Sequence, residues 1–291
     1  MLSAAPPVLP GIATLAPDYD LLLCDVWGVV HNGETAYPDA VAALYRARAA
    51  GCTVILVTNA PRPGAVIERQ IAGYAVPRTC FDTIVASGDV AREELRRWPG
   101  VKLFHLGPER DLPNYEGLDL SLVDFEKAEI VVCTGFFDDT VETPEDYRDM
   151  LARIHARRLP FICANPDIVV ERGDQMIWCA GALAQLYEEL GGSTTYAGKP
   201  HAPIYDLALA RAAEIRGGAV ARARVLAIGD GVRTDLAGAV RQGFDCVFVT
   251  GGIHAAELQL EDSGLRDAAA AARMFAEAGA LPAAIIARLV W

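Results

Sequence analysis

The chain has no surplus of positive charge: Lys and Arg number 26 against 38 Asp and Glu, a formal net charge of −12. Phosphate backbones are bound by clustered Lys and Arg; with no basic stripe, the sequence argues against a nucleic-acid surface. No run reaches the ~18 consecutive apolar residues that a membrane span needs. The first twenty residues, MLSAAPPVLPGIATLAPDYD, carry no Lys or Arg and are broken by prolines, which fits neither a signal peptide nor a transit peptide. A soluble cytoplasmic protein is the expectation. The seven cysteines, at positions 24, 52, 80, 133, 163, 179 and 246, form no CxxC pair and no Cys/His cluster with metal-ligand spacing. They lie mostly inside apolar runs and read as reduced core residues. Internal repeats and low-complexity tracts are also missing.

What is present is a chain of 291 residues, 52% hydrophobic, enough for one large or two ordinary domains. Short β-branched or Leu-rich runs alternate with Ala/Arg-rich helical stretches, the signature of a parallel sheet flanked by helices. Strands are expected at 21–25, 53–58, 83–86, 103–106, 130–134, 161–164, 225–228 and 246–249. Helices are expected at 40–50, 63–73, 90–98, 144–157, 181–190, 204–216 and 234–242. Turn-rich text at 108–117 reads as a surface excursion, and the Ala-rich segment 264–291 as two short helices. The fold class is α/β, with about 90–180 as a second domain inserted into the first.

One stretch, LLLCDVWGVVHNG at 21–33, ends an apolar strand in a single carboxylate, Asp25. Three other segments place chemistry in the same way. TVILVTN ends in Thr58 and Asn59, GKPH carries Lys199, and VLAIGD ends in Asp230, followed by Asp235 in GVRTD. In open parallel sheets the carboxyl ends of neighbouring strands converge on one crevice. Two or three carboxylates there suit Mg2+, a hard cation that takes one or two carboxylates together with waters and a substrate phosphate. Lys199, the Thr58 hydroxyl and the Asn59 amide would supply a cation and donors for phosphate oxygens. A carboxylate beside such a phosphate can attack phosphorus. Taken singly, each residue could equally end a strand or cap a turn; order and spacing make the set point to phosphoryl transfer.

These motifs resemble the haloacid dehalogenase superfamily, in the class IIA branch that includes nucleotide monophosphatases, 4-nitrophenyl phosphatases and pyridoxal phosphate phosphatases. Asp25-Val-Trp-Gly-Val matches the first motif, Thr58-Asn59 the second, Lys199-Pro200 the third and GDGVRTDLAGAVRQG (229–243) the fourth. ICANPD, ending at Asp167, resembles the branch's cap motif. The resemblance implies a Rossmann-like core over 1–88 and 184–291 and an inserted α/β cap over 89–183. It implies Asp25 as nucleophile, and Mg2+ on Asp25, the Trp27 carbonyl, Asp230 and Asp235. Thr58, Lys199, Gly28 and neighbouring groups would hold phosphate, with Asn165 and Asp167 at the hinge-side or substrate-facing edge of the cap. The expected ligand is a small phosphorylated metabolite, and the expected assembly a homodimer through the cap.

The sequence departs from that pattern twice. The branch's phosphatases carry an acid/base Asp two residues after the nucleophile, and here that position is Trp27, whose indole N–H has negligible acidity. WCAGALAQ (178–185) also replaces a Pro/Gly-rich turn. Trp27 reads either as a packing residue or as a platform for substrate, and His31 as a candidate for the missing proton transfer. Beside hydrolysis through an aspartyl phosphate stand two alternatives: a catalytically weak phosphate-binding protein, and a phosphotransferase to an acceptor other than water.

Overall fold

The protein is described here as a computed structural model covering residues 6–172, 175–258, 260–261, 264–265, 267–277, 279 and 281–291. Two compact units make it up: Met1–Thr58, Glu68–Val85 and Tyr205–Trp291 form the first, Asn59–Ile67 and Ala86–Ile204 the second. Segment 89–183 falls wholly inside the second unit, which also takes in 59–67, 86–88 and 184–204.

The chain opens with β1 (Leu21–Cys24), α1 (Pro38–Ala49), β2 (Thr53–Thr58), α2 (Gly64–Gly73) and β3 (Thr83–Ala86). The second unit then supplies α3 (Ser87–Leu95), β4 (Val101–Leu106), β5 (Leu120–Leu122), β6 (Ile130–Cys133) and α4 (Arg148–Ala156). It continues with β7 (Phe161–Cys163), β8 (Val169–Arg172), β9 (Gln175–Trp178), α5 (Ala180–Glu189) and β10 (Thr194–Tyr196). α6 (Ala202–Arg216) leads back to β11 (Val225–Gly229), α7 (Ala237–Gln242) and β12 (Asp245–Val249). The two-residue strands β13 (Leu260–Glu261) and β14 (Gly264–Leu265), α8 (Ala268–Glu277) and β15 (Ala284–Ile286) complete the chain.

The first unit's sheet has the order β15-β12-β11-β1-β2-β3. Its pairs β1 with β2, β1 with β11, β11 with β12 and β12 with β15 are parallel. Every residue of β1, β2 and β11 is buried, as continuous apolar runs require when both faces of a sheet are covered. Leu21 pairs with Thr53 on one side and with Val225 on the other. Strand order therefore reverses at β1, the kind of switch point where α/β sheets open a crevice. α1 shows how the flanking helices are specified. Pro38 starts it and Asp39 sits in its first turn; Arg46 and Arg48 sit in its last, and Ala40, Ala43, Leu44 and Ala47 form its buried stripe.

The second unit carries a five-stranded sheet, β10-β7-β6-β4-β5, with its registered pairs parallel. Its core includes Val131, Cys133, Phe161, Leu183 and Tyr187, with the Phe161 and Tyr187 rings stacked at 4.5 Å. β8 and β9 form an antiparallel hairpin. All seven cysteines are buried, and among the described residues no helix is long and apolar enough to cross a membrane.

Two expectations need correction. Segment 108–117 is a surface excursion only in part: Glu109, Arg110, Leu112, Glu116 and Gly117 are exposed, while the 3-10 helix Glu109–Tyr115 buries Asp111, Asn114 and Tyr115. Some of its polar groups are engaged internally, whereas the buried Asn114 carboxamide and Tyr115 hydroxyl make no hydrogen bond among the described residues. Asp111 faces Arg62 at 3.5 Å, and the Arg92 guanidinium donates to the Asn114 and Glu116 carbonyls at 2.8 and 2.9 Å. Burial nonetheless raises the pKa of the Asp111 carboxyl. At the carboxyl terminus α8 is the first of the two expected helices, but the second is replaced by β15. Its residues Ala284, Ile285 and Ile286 are all buried, and it completes the sheet edge against β12.

Candidate active site

In the first unit, Asp25 follows β1 directly, and its N–H donates to the Ile228 carbonyl of β11 at 2.8 Å. Asp230 follows β11 directly. Asp235 lies on a π-helical turn, Val232–Leu236, that precedes α7; such turns recur at functional sites. The structure brings the three together: one carboxylate oxygen from each of Asp25, Asp230 and Asp235 lies within 4.8 Å of the others, and all three residues are buried.

Backbone donors fix these carboxylates. Ile253 N–H donates to Asp230 Oδ2 at 2.8 Å, and Gly231 N–H to Asp235 Oδ2 at 3.1 Å. Glycines make the room. A Cβ on Gly28 would stand 2.1 Å from Asp230 Oδ2, one on Gly252 1.9 Å from the same atom, and one on Gly229 2.1 Å from the Asp235 carboxyl carbon. Three buried carboxylates in one cradle repel one another unless a cation joins them. An all-oxygen, hard donor set of this kind fits Mg2+.

The loop after β1 carries Trp27, Gly28 and His31. Gly28 N–H donates to the His31 carbonyl at 2.8 Å, with Gly28 at φ 81°. The Trp27 and His31 rings meet edge-on at 5.2 Å, and His31 meets Tyr74 at 5.1 Å. Gly33 is required beneath the indole, since a Cβ there would stand 2.5 Å from Trp27 Cζ2. Trp27 thus packs on its own loop. His31 is 2% exposed, its Nδ1 accepts the Gly33 N–H at 2.8 Å, and burial lowers its pKa to about 4. His31, expected as a proton donor or phosphate ligand, is thus packed in its own loop, with Nδ1 occupied and the neutral ring favoured by burial. Thr58, also buried, ends β2 in this unit.

Other expected residues meet in the second unit, around Asn59. Its Nδ2 donates to Asp167 Oδ1 at 2.8 Å and to the Lys199 carbonyl at 3.2 Å. Its Oδ1 accepts the Lys199 N–H at 2.7 Å and the Ser87 hydroxyl at 3.3 Å. A carboxamide has two donors and two acceptor sites, so none remains for a phosphate. Asn59 is therefore corrected from phosphate ligand to the brace of the Lys199 loop. Lys199 itself is 3% exposed and precedes a cis peptide to Pro200. Gly198 lets the loop approach, because a Cβ there would stand 2.0 Å from Ser87 Oγ. Asn165 is buried and its Oδ1 accepts the Asp167 N–H at 3.1 Å, so Asn165 and Asp167 belong to this network.

Sequence reasoning missed Ser87, the Ile253 N–H and the Arg62–Asp111 pair. Gly251-Gly252 after β12 was the available signal for the second, because paired glycines at a strand end mark close approach of backbone to another group.

Two family models match the chain, haloacid dehalogenase-like hydrolase over residues 22–121 and HAD-hydrolase-like over 196–277. A crystal structure of a haloacid dehalogenase-like hydrolase from Brucella suis 1330 is 50% identical, covering 97% of this chain and 100% of that one at a TM-score of 0.87. Ribonucleotide monophosphatase NagD of Escherichia coli K12 is 26% identical over 236 residues, 80% of this chain and 88% of the relative. In fold the chain is also similar to a glycerol phosphate phosphatase from Mycobacterium tuberculosis, solved in complex with magnesium. That structure is 24% identical, with 82% of this chain and 69% of that chain covered at a TM-score of 0.63.

Proposed function

The chain belongs to the haloacid dehalogenase-like hydrolases, and from that premise we propose that it is a Mg2+-dependent phosphatase. Its substrate is a small phosphorylated metabolite, a sugar phosphate, nucleotide or cofactor phosphate, cleaved through an aspartyl phosphate on Asp25. The observation that carries the reading is the cradle of three buried carboxylates, Asp25 and Asp230 at the ends of adjacent strands and Asp235 on the turn that follows. The E. coli relative, a ribonucleotide monophosphatase by name, supports the same chemistry.

Asp25 and Asp230, with Asp235 beside them, would hold the Mg2+, which supplies charge neutralisation of the phosphoryl oxygens. An Asp25 carboxylate oxygen attacks phosphorus, and the ester P–O bond breaks as the alkoxide leaves and takes a proton from water. Water then attacks the aspartyl phosphate, returning the Asp25 carboxylate and releasing phosphate. Thr58 and Lys199 are proposed, from their motif positions, as the groups that hold the phosphoryl oxygens; 89–183 is proposed as the substrate-selecting insertion.

The test is phosphate release with Mg2+ across sugar phosphates, nucleoside monophosphates, pyridoxal phosphate and p-nitrophenyl phosphate, run beside Asp25→Asn. Turnover that vanishes in the variant supports the reading; no release from folded wild type with any substrate overturns it.

One observation favours a second reading. Trp27 occupies the acid/base position and is packed on Gly33 and His31, which leaves that position without a titratable group. Slow breakdown of the phosphoenzyme, or its transfer to an acceptor other than water, follows. Acid quenching during turnover would reveal it as accumulated phosphoprotein.

A further inference from the structure

A cavity of about 160 Å³ lies at the carboxyl end of the first unit's sheet, outside the acidic cradle. Its apolar wall includes Val29, Val249 and Leu289, each buried to within 1%. Tyr37 and Arg288 complete it, with the Arg288 guanidinium 5.1 Å from the centroid of the Tyr37 ring. None of the three cluster carboxylates lines it.

The size is informative, because an apolar cavity of about 150 Å³ admits a benzene ring. So is the charge. Arg288 is exposed, and among the described residues no carboxylate is hydrogen-bonded or ion-paired to it; an aromatic face is its recorded neighbour. Asp39, the other charged residue of the lining, sits in the first turn of α1, where the helix N-terminus offsets its negative charge. The backbone that carries Arg288 is pinned in place: Thr250 N–H donates to the Ile286 carbonyl at 3.0 Å and Gly251 N–H to the Ala287 carbonyl at 2.8 Å. A preformed slot with apolar residues in its wall and a cation at its edge suits a ligand with an apolar body and one negative charge.

We propose that this cavity is a second ligand site, separate from the acidic cradle, for a small organic monoanion with a flat apolar body. The ring lies against Val29, Val249 and Leu289, and the carboxylate pairs with Arg288. Gly28 joins the two places. It lines the cavity, while the Cβ it lacks would strike Asp230, so an occupant touches the loop that shapes the cradle.

The probe is benzoate, titrated into the metal-free full-length protein by calorimetry, with amide NMR shifts to locate it. Saturable millimolar binding is expected, with shifts centred on Gly28, Val29 and Leu289. Arg288→Met keeps the aliphatic stem and removes the charge, and should weaken benzoate by about tenfold or more, as loss of a charge-assisted hydrogen bond does. Benzamide, the neutral isostere, should bind wild type weakly and lose nothing in the variant. A superimposable thermal melt of the variant confirms its fold. The proposal is overturned by no saturable benzoate binding, by equal affinity in Arg288→Met, or by shifts centred instead on Asp25 and Asp230. Arg288→Met should release phosphate at the wild-type rate without benzoate, so failure here leaves the phosphatase reading untouched.

Discussion

The loop after β11 and the loop after β1 leave adjacent strands of one sheet, yet they use their residues in opposite ways. After β11, the Gly231 N–H serves the Asp235 carboxylate, and Gly229 at the strand's end leaves space for it. After β1, the side chains beyond Asp25 serve the loop itself: Trp27 lies on Gly33, His31 on Trp27 and Tyr74, and His31 Nδ1 takes a backbone N–H. The difference teaches that a charge cradle and a proton-transfer device are separable. Asp25, Asp230 and Asp235 form the first in this chain; at the position two residues after Asp25 stands an indole packed on its own loop.

Four changes probe that separation. The largest effect is expected from Asp25→Asn, which removes the nucleophile and should lower phosphate release by about 10³-fold or more in steady-state assays. Next, Trp27→Asp returns an acid to the packed loop. If proton transfer is what the loop has lost, turnover should rise by ~10²–10⁴-fold, even though the loss of indole packing lowers the melting temperature. Unchanged turnover would mean that the two loops are not dividing the work in this way.

Gly252→Ala attacks the cradle from the loop after β12. Its Cβ would stand 1.9 Å from Asp230 Oδ2, so Mg2+ binding by calorimetry should weaken by about 10–100-fold, with about 1–3 kcal/mol of stability lost to overpacking. The smallest effect belongs to His31. Its folded pKa of about 4 lies below the ordinary 6.5, so the unfolded chain binds the proton first. Stability is full above pH 6.5 and falls as pH drops toward 4, by about 1.4 kcal/mol at pH 5.5. His31→Gln should remove that part of the slope, read from urea unfolding at pH 7.5 and 5.5.

Much of the first unit was legible because its strands are unbroken apolar runs with one polar residue at the end. Asp25, Asp230 and Asp235 stand out in such text, and parallel pairing brings the ends together. Partnerships were not legible. Nothing in TN reveals that Asn59 spends all four hydrogen-bonding sites on Asp167, Lys199 and Ser87. Polar composition at 108–117 reads as surface, since burial there depends on Arg62 and Arg92, distant in sequence. β15 was missed because Ala-rich text favours helix, and only the open edge of β12 makes it a strand. His31 misled because a titratable side chain next to a nucleophile looks chemical until its ring neighbours are known.

The pairing of Leu21 with Val225 also bears on how the enzyme is born. β1 leaves the ribosome about 200 residues before the strand that flanks it on that side, a wait of roughly 10–40 s at ordinary synthesis rates. Throughout that interval Asp25 is a lone carboxylate on an unfinished edge, and Asp230 has not been made. A nascent chain therefore cannot assemble the carboxylate cluster, and any chain truncated before residue 225 should be inert however well its second unit folds.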